Sequence, residues 1–143
     1  MSAAKGRYFL DTNILVYAWA NKDNDRSTKA RSLIGECVKN NSAVISTQVL
    51  QEFYSVVTVK LGCDKLAAKE ATQRFSRIPL VQVDAALIQQ AIDISILSQL
   101  SFWDSLIIAA AGYANCHILY SEDLNDGQVV RSITIANPFQ KLS

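Results

Sequence analysis

Apolar residues along this chain follow two periods. Short β-rich runs, Tyr8-Phe9-Leu10, Ala43-Val44-Ile45, Leu80-Val81-Gln82-Val83, His117-Ile118-Leu119-Tyr120 and Ile133-Thr134-Ile135, read as strands. Between them apolar positions recur at helical spacing, predicting helices over residues 14–20, 27–39, 48–61, 65–77, 85–100 and 102–114. Strands alternating with crossovers of that length predict an α/β fold with a parallel sheet and helices on both faces. In such folds ligands sit beyond the carboxyl ends of the strands, near the point where strand order reverses. No repeat, low-complexity tract or Gly/Pro/Ser-rich linker interrupts the pattern, so residues 1–143 read as one domain.

Several acidic residues break the pattern where carboxylates are costly. Asp11 follows Tyr8-Phe9-Leu10 directly and belongs at a strand's carboxyl end, where a helix N-cap is the plain alternative. Glu52 shares a helix face with Val49, Phe53, Val56 and Val57, so it points inward unless it is an edge residue reaching to solvent. Asp104 opens the most apolar helix of the chain, where Ser101-x-x-Asp104 also has the form of a capping box. Ser121-Glu122-Asp123, followed by Asp126-Gly127, closes the strand His117 to Tyr120, a position that an acidic turn also explains.

Taken together, two strand ends and two inward helix faces can bring these acids to one cleft. Like charges about 4 Å apart repel by ~4 kcal/mol at an effective dielectric near ~20, so the cluster needs a cation. Oxygen donors alone favour Mg2+ or Mn2+ over zinc, since the only histidine, His117, lies within an apolar strand and reads as a core or sheet-edge residue.

Composition narrows the class. Half of the 143 residues are apolar and the net charge is +1, which excludes a disordered tail and a protein that holds nucleic acid by bulk charge. Cys37, Cys63 and Cys116 have no paired spacing and read as small core residues in a reducing compartment. The first seven residues carry no apolar leader, and Leu106 to Ala111 is far short of the ~20 residues that span a bilayer, so a cytoplasmic protein is expected.

The segments Leu10-Asp11-Thr12-Asn13-Ile14-Leu15, Gln51-Glu52-Phe53, Phe102-Trp103-Asp104-Ser105 and Leu119-Tyr120-Ser121-Glu122-Asp123-Leu124 resemble, in order and spacing, the PIN domain family. The resemblance runs from about residue 7 to 138 and is greatest to the VapC-type toxins of bacterial toxin–antitoxin pairs. It implies a three-layer fold with a five-stranded parallel sheet of order 3-2-1-4-5, and an endoribonuclease dependent on Mg2+ or Mn2+. It implies metal-holding roles for Asp11 and Asp104, with Glu52 and Asp123 completing an acidic catalytic pocket. Thr12, Asn13 and Ser121 would orient those carboxylates. Asp123 is chosen over Glu122 and Asp126 because it fits the family's Ser/Thr-Glu-Asp pattern.

Carboxylates with a hard cation suit hydrolysis of RNA phosphodiester bonds by metal-activated water, without a side-chain nucleophile. Glu52 and Asp123 are both available as the general base, and 5′-phosphate products follow from the resemblance. A haloacid-dehalogenase-like phosphatase is the rival enzyme, although Asp11-Thr12-Asn13-Ile14 lacks that family's second Asp and Gly-Thr. A catalytically silent PIN-like RNA-binding module is the rival outside enzymes. Lys5, Arg7, Lys22, Arg26, Lys29 and Arg31 are candidates to grip the RNA. The positive mean hydropathy of +0.12 leaves apolar helix faces, in segments such as 49–59 and 65–77, for a homodimer and for an antitoxin protein.

Overall fold

A computed structural model describes residues 6–20 and 22–140. The elements run β1 (Arg7–Leu10), α1 (Thr12–Ala20), α2 (Asp25–Lys39), β2 (Ala43–Ser46), α3 (Thr47–Ser55), a π-helical segment (Val56–Lys60) and α4 (Lys65–Phe75). They continue with β3 (Leu80–Val81), α5 (Ala85–Ser98), α6 (Phe102–Tyr113), β4 (Cys116–Tyr120), β5 (Val129–Val130) and β6 (Ile133–Ala136). Side-chain caps start most helices: Asn24, Ser46, Asp64, Asp84 and Ser101 each accept from a backbone N–H three residues on.

The sheet has six strands in the order β3-β2-β1-β4-β6-β5. Its first five positions are the parallel 3-2-1-4-5 arrangement expected from the sequence; the sixth, β5, is an antiparallel edge strand paired with β6. The β5–β6 connection is a two-residue turn in which Arg131 and Ser132 both take positive φ, 49° and 68°. Without the glycine or asparagine that usually marks such a turn, the hairpin left no signature. The third strand is shorter than expected, because Val83 leaves the sheet to donate its N–H to Thr47 Oγ1 at 3.1 Å and Asp84 then caps α5.

The predicted helix over 48–61 also differs. Regular α-helix ends at Ser55, and Val56–Lys60 winds as π-helix, with Leu61 N–H bonded to Val56 O at 3.1 Å. Val56, Val57, Thr58 and Val59 are four β-branched residues in succession, which lose side-chain freedom in α-helix and crowd its turns. Single turns of π-helix inside helices often coincide with functional sites.

The core lies between sheet and helices. Phe9 and Leu10 of β1, Ile45 of β2, Leu119 of β4 and Ile135 of β6 are fully or almost fully buried, against Phe53 of α3 and Ala109, Ala110 and Ala111 of α6. Alanines at that contact let α6 approach the sheet closely, and α6 is buried over most of its length. Cys37 and Cys116 are core residues, whereas Cys63 is only half-buried, in the turn after the π-helical segment. His117 is neither core nor on an edge strand: it lies exposed on β4, between β1 and β6, its ring 5.3 Å from Tyr8. No single helix among the described residues is long and apolar enough to cross a membrane.

Candidate active site

Register carries the strand ends together. β1 pairs in parallel with β4 so that Leu10 lies opposite Tyr120, and the Asp11 N–H donates to Tyr120 O at 3.0 Å. Asp11 and Ser121 therefore leave adjacent central strands side by side. Ser121 Oγ donates to Asp11 Oδ2 at 2.8 Å, and the Thr12 N–H donates to Asp11 Oδ1 at 2.7 Å. An ordinary N-cap side chain serves an amide two or three residues on. The Asp11 carboxylate does not do so.

Thr12 and Asn13 reach the other acids. Thr12 Oγ1 donates to Glu52 Oε1 at 2.8 Å, joining α1 to α3, and Asn13 Nδ2 donates to Asp123 Oδ1 at 3.0 Å, joining α1 to the loop after β4. Ser121 Oγ also accepts the Asp123 N–H at 3.2 Å, which fixes that loop where it leaves the sheet. At α6, Ser101 Oγ caps the Asp104 N–H at 3.1 Å, but the reciprocal bond of a capping box is absent among the described residues. Asp104 instead lines the cavity, together with Asp11, Glu52 and Asp123.

This cavity, of about 320 Å³, collects all four acids together with Thr12, Asn13, Gln48, Lys60 and Trp103. Burial pushes the Asp11 carboxyl from 3.8 up to about 6; the nearby charges of Glu52 and Asp123 push the same way, and the bonds from Thr12 and Ser121 oppose them. Ser121 is not among the residues lining this cavity but holds Asp11 from a fully buried position.

Gln48 went unrecognised in the sequence. It is 3% exposed, and its Nε2 donates to both Glu52 Oε2 and Trp103 O, each at 3.1 Å, so one amide ties α3 to the first turn of α6. Its Oε1 is buried without a hydrogen-bond partner among the described residues. The available signal was its spacing, four residues before Glu52 on the same helix face.

The neighbouring acids are otherwise engaged. Glu122 accepts from Tyr17 Oη at 2.6 Å and from Arg26 Nε at 2.8 Å, and Asp126 Oδ1 accepts the Asn137 N–H at 2.7 Å. The basic residues near the amino terminus are absent from the cavity lining: Arg26 is spent on Glu122, Arg7 reaches Ala114 O at 3.4 Å, and Lys22, Lys29 and Arg31 are exposed elsewhere. Lys5 lies outside the described residues. Lys60, from the π-helical segment, is the cation that lines the cavity.

The donor set suits a hard cation. The charged candidate ligands in the cavity are four carboxylates, and histidine and cysteine are missing from the lining. No three His, Cys, Asp or Glu side chains among the described residues form a closed ligand cluster as they stand. Magnesium does not require one, since it binds through one or two carboxylates and keeps several waters.

Residues 8–127 match the PIN domain family. The chain belongs to that family. No curated protein matches it by sequence at a significant level. Among solved structures, this PIN domain is similar to VapBC2 of Rickettsia felis bound to promoter DNA, with 25% identity, 91% of this chain and 97% of that one covered, and a TM-score of 0.66. It shares its fold with VapC20 of Mycobacterium tuberculosis, a sarcin-ricin-loop-cleaving toxin, at 23% identity, 81% and 89% coverage and a TM-score of 0.65. The DNA-bound VapBC of Salmonella typhimurium aligns over 94% of this chain and 99% of that one, at 18% identity and a TM-score of 0.68. The PIN domains of this fold form a nuclease family, and VapC-type toxins are among its members.

Proposed function

We propose that this PIN domain is a metal-dependent endoribonuclease, the toxin of a toxin–antitoxin pair, acting in the cytoplasm. The observation that carries the reading is the convergence of Asp11, Glu52, Asp104 and Asp123, from four separate parts of the chain, on one cavity. Asp11 and Asp104 would hold Mg2+ or Mn2+, with Glu52 and Asp123 beside it. When bound, such a cation supplies Lewis acidity to the attacking water and offsets charge on the phosphate.

The chain's own residues do the rest. Ser121 and the Thr12 amide hold both Asp11 oxygens, so this carboxylate is presented in one orientation. The Thr12 hydroxyl and the Gln48 amide do the same for Glu52, and Asn13 for Asp123. Glu52 and Asp123 thereby remain oriented to take the proton of a water that attacks phosphorus as the 3′ oxygen departs, leaving a 5′ phosphate. The cavity lining holds no cysteine or histidine, and its serine, Ser55, makes no hydrogen bond to a base among the described residues, in keeping with direct attack by water.

Partners follow from the same reading. An antitoxin protein is the partner in this reading, supported by the similarity to toxin–antitoxin complexes. A homodimer fits the exposed apolar side chains of Val59 and Leu66 near α4 and of Ile96 and Leu97 on α5, each more than two-thirds exposed. Light scattering of the isolated chain tests the dimer, with a strict monomer at tens of micromolar as the contrary result.

The function itself is tested by a metal titration with RNA cleavage as readout. Cleavage absent in EDTA and restored by Mg2+ or Mn2+ is expected. Labelled phosphate transferred from a phosphoester onto Asp11 would instead mark a phosphatase.

A further inference from the structure

Trp103 and Lys60 are among the residues lining the acid cavity whose side chains hold none of its carboxylates. Trp103 lies one residue before Asp104 in the first turn of α6 and is 62% exposed. Its indole meets the Phe102 ring edge-on, with centroids 5.1 Å apart and planes at 76°, and its carbonyl oxygen is fixed by Gln48 Nε2 at 3.1 Å. Ring and backbone each have a contact within the protein, while most of the residue's surface stays open to solvent. Lys60 is presented by the π-helical segment to the same cavity. It is exposed and makes no ion pair among the described residues, although every other charged side chain in the lining is acidic.

An exposed apolar surface alone does not say what covers it, but this one lines the same cavity as a cation. An indole face stacks on any unpaired base through its π-system, and a lysine ammonium meets the adjoining phosphate as a point charge. Four acids repel a phosphodiester, so an approach to this cavity needs a positive group on its rim, and Lys60 supplies one. A base held in duplex is already stacked on its neighbours and cannot reach the indole, whereas a base in a loop or single strand can.

We propose that Trp103 and Lys60 form a nucleotide subsite at the mouth of the acid cavity, taking one unpaired base on the indole and the neighbouring phosphate on the ammonium. The proposal deepens the ribonuclease reading and rests on it for the identity of the polymer. It makes the enzyme selective for unpaired RNA next to the bond that is cut.

The test uses the full chain, a short single-stranded RNA and the same sequence locked in a duplex. The chain has two tryptophans, so in a Trp19→Phe variant only Trp103 reports by fluorescence. Single-stranded RNA should quench that signal in EDTA, and duplex should not. In cleavage assays, Trp103→Ala should raise KM by roughly 5- to 150-fold, the range expected for one stacked base, with kcat changed far less and Trp103→Phe restoring most of the loss. Lys60→Met should raise KM and flatten the dependence of log affinity on log salt by about 0.7.

Cleavage with a silent Trp103 signal and an unchanged KM in Trp103→Ala overturns the subsite and leaves the ribonuclease reading intact. Quenching by RNA with no cleavage under any divalent cation supports the subsite and overturns the nuclease. Absence of both overturns both. A Trp103→Ala chain that binds RNA normally but loses self-association makes this indole a contact between copies, which also overturns the subsite.

Discussion

Asn13 Nδ2 donates to Asp123 Oδ1 at 3.0 Å, across 110 residues of sequence, while the adjacent Glu122 turns the other way to Tyr17 and Arg26. The two neighbouring acids therefore have different surroundings. Asp123 lines the cavity; Glu122 ties α1 and α2 to the loop after β4. Burial, then the bond to Glu122, pushes the Tyr17 phenol up to about 12, so it remains a protonated donor through neutral pH.

From that difference, Asp123→Asn is expected to impair cleavage strongly, and Glu122→Gln to leave cleavage near wild type while lowering the melting temperature modestly. Parallel cleavage and thermal-melting assays at saturating Mg2+ check both. The reverse ranking of activities would assign the fourth acid to Glu122.

Asp11 links the site to stability. Its carboxyl releases a proton near 3.8 in the unfolded chain and near 6 in the folded one, because burial disfavours the charge. In EDTA its favourable contribution is complete below that lower value and is lost as pH rises through the upper one. Above both, the ionised group costs the fold about 3 kcal/mol, which Asp11→Asn removes. Urea unfolding in EDTA should find Asp11→Asn more stable than wild type at about pH 8, with the gap narrowing toward about pH 4. A gap that is absent or widens on acidification contradicts this account of Asp11.

Divalent cation should act in the opposite sense. A ligand bound only by the folded state at a hundred times its dissociation constant stabilises by about 2.7 kcal/mol, so Mg2+ or Mn2+ should raise the wild-type melting temperature. Asp11→Asn and Asp104→Asn should lose that response. An equal rise in all three proteins would place the ion elsewhere.

Gln48 bridges Glu52 and the carbonyl of Trp103 from a buried position. Gln48→Ala frees both groups, and a hydrogen bond to a charged partner is worth enough to lower kcat on the order of ten-fold. Cleavage at the wild-type rate in a folded Gln48→Ala protein would show the bridge to be dispensable.

Much of this was readable from the chain because the signals were local. Helical period, with the cap at Ser101, gives the helices to within a few residues, and the acids at strand ends stand out against apolar runs. What escaped depends on backbone conformation or on distant partners. The β5–β6 turn uses Arg131 and Ser132 at left-handed φ, residues that carry no turn signature. The π-helical winding that brings Lys60 to the cavity resembles ordinary helix in its spacing. Arg26 reads as a free cation until its partner Glu122, far along the chain, is placed beside it.

The most direct test of the central claim compares wild type with Asp104→Asn on one labelled single-stranded RNA, first in EDTA and then with Mg2+ or Mn2+ in excess. Asp104 is the cleanest choice because its carboxylate has no hydrogen-bond partner among the described residues whose loss would disturb the fold. The account predicts no cleavage in EDTA, cleavage by wild type on adding the cation with 5′-phosphate products, and none by a folded Asp104→Asn protein. Cleavage by wild type in EDTA, or undiminished cleavage by Asp104→Asn, would contradict it.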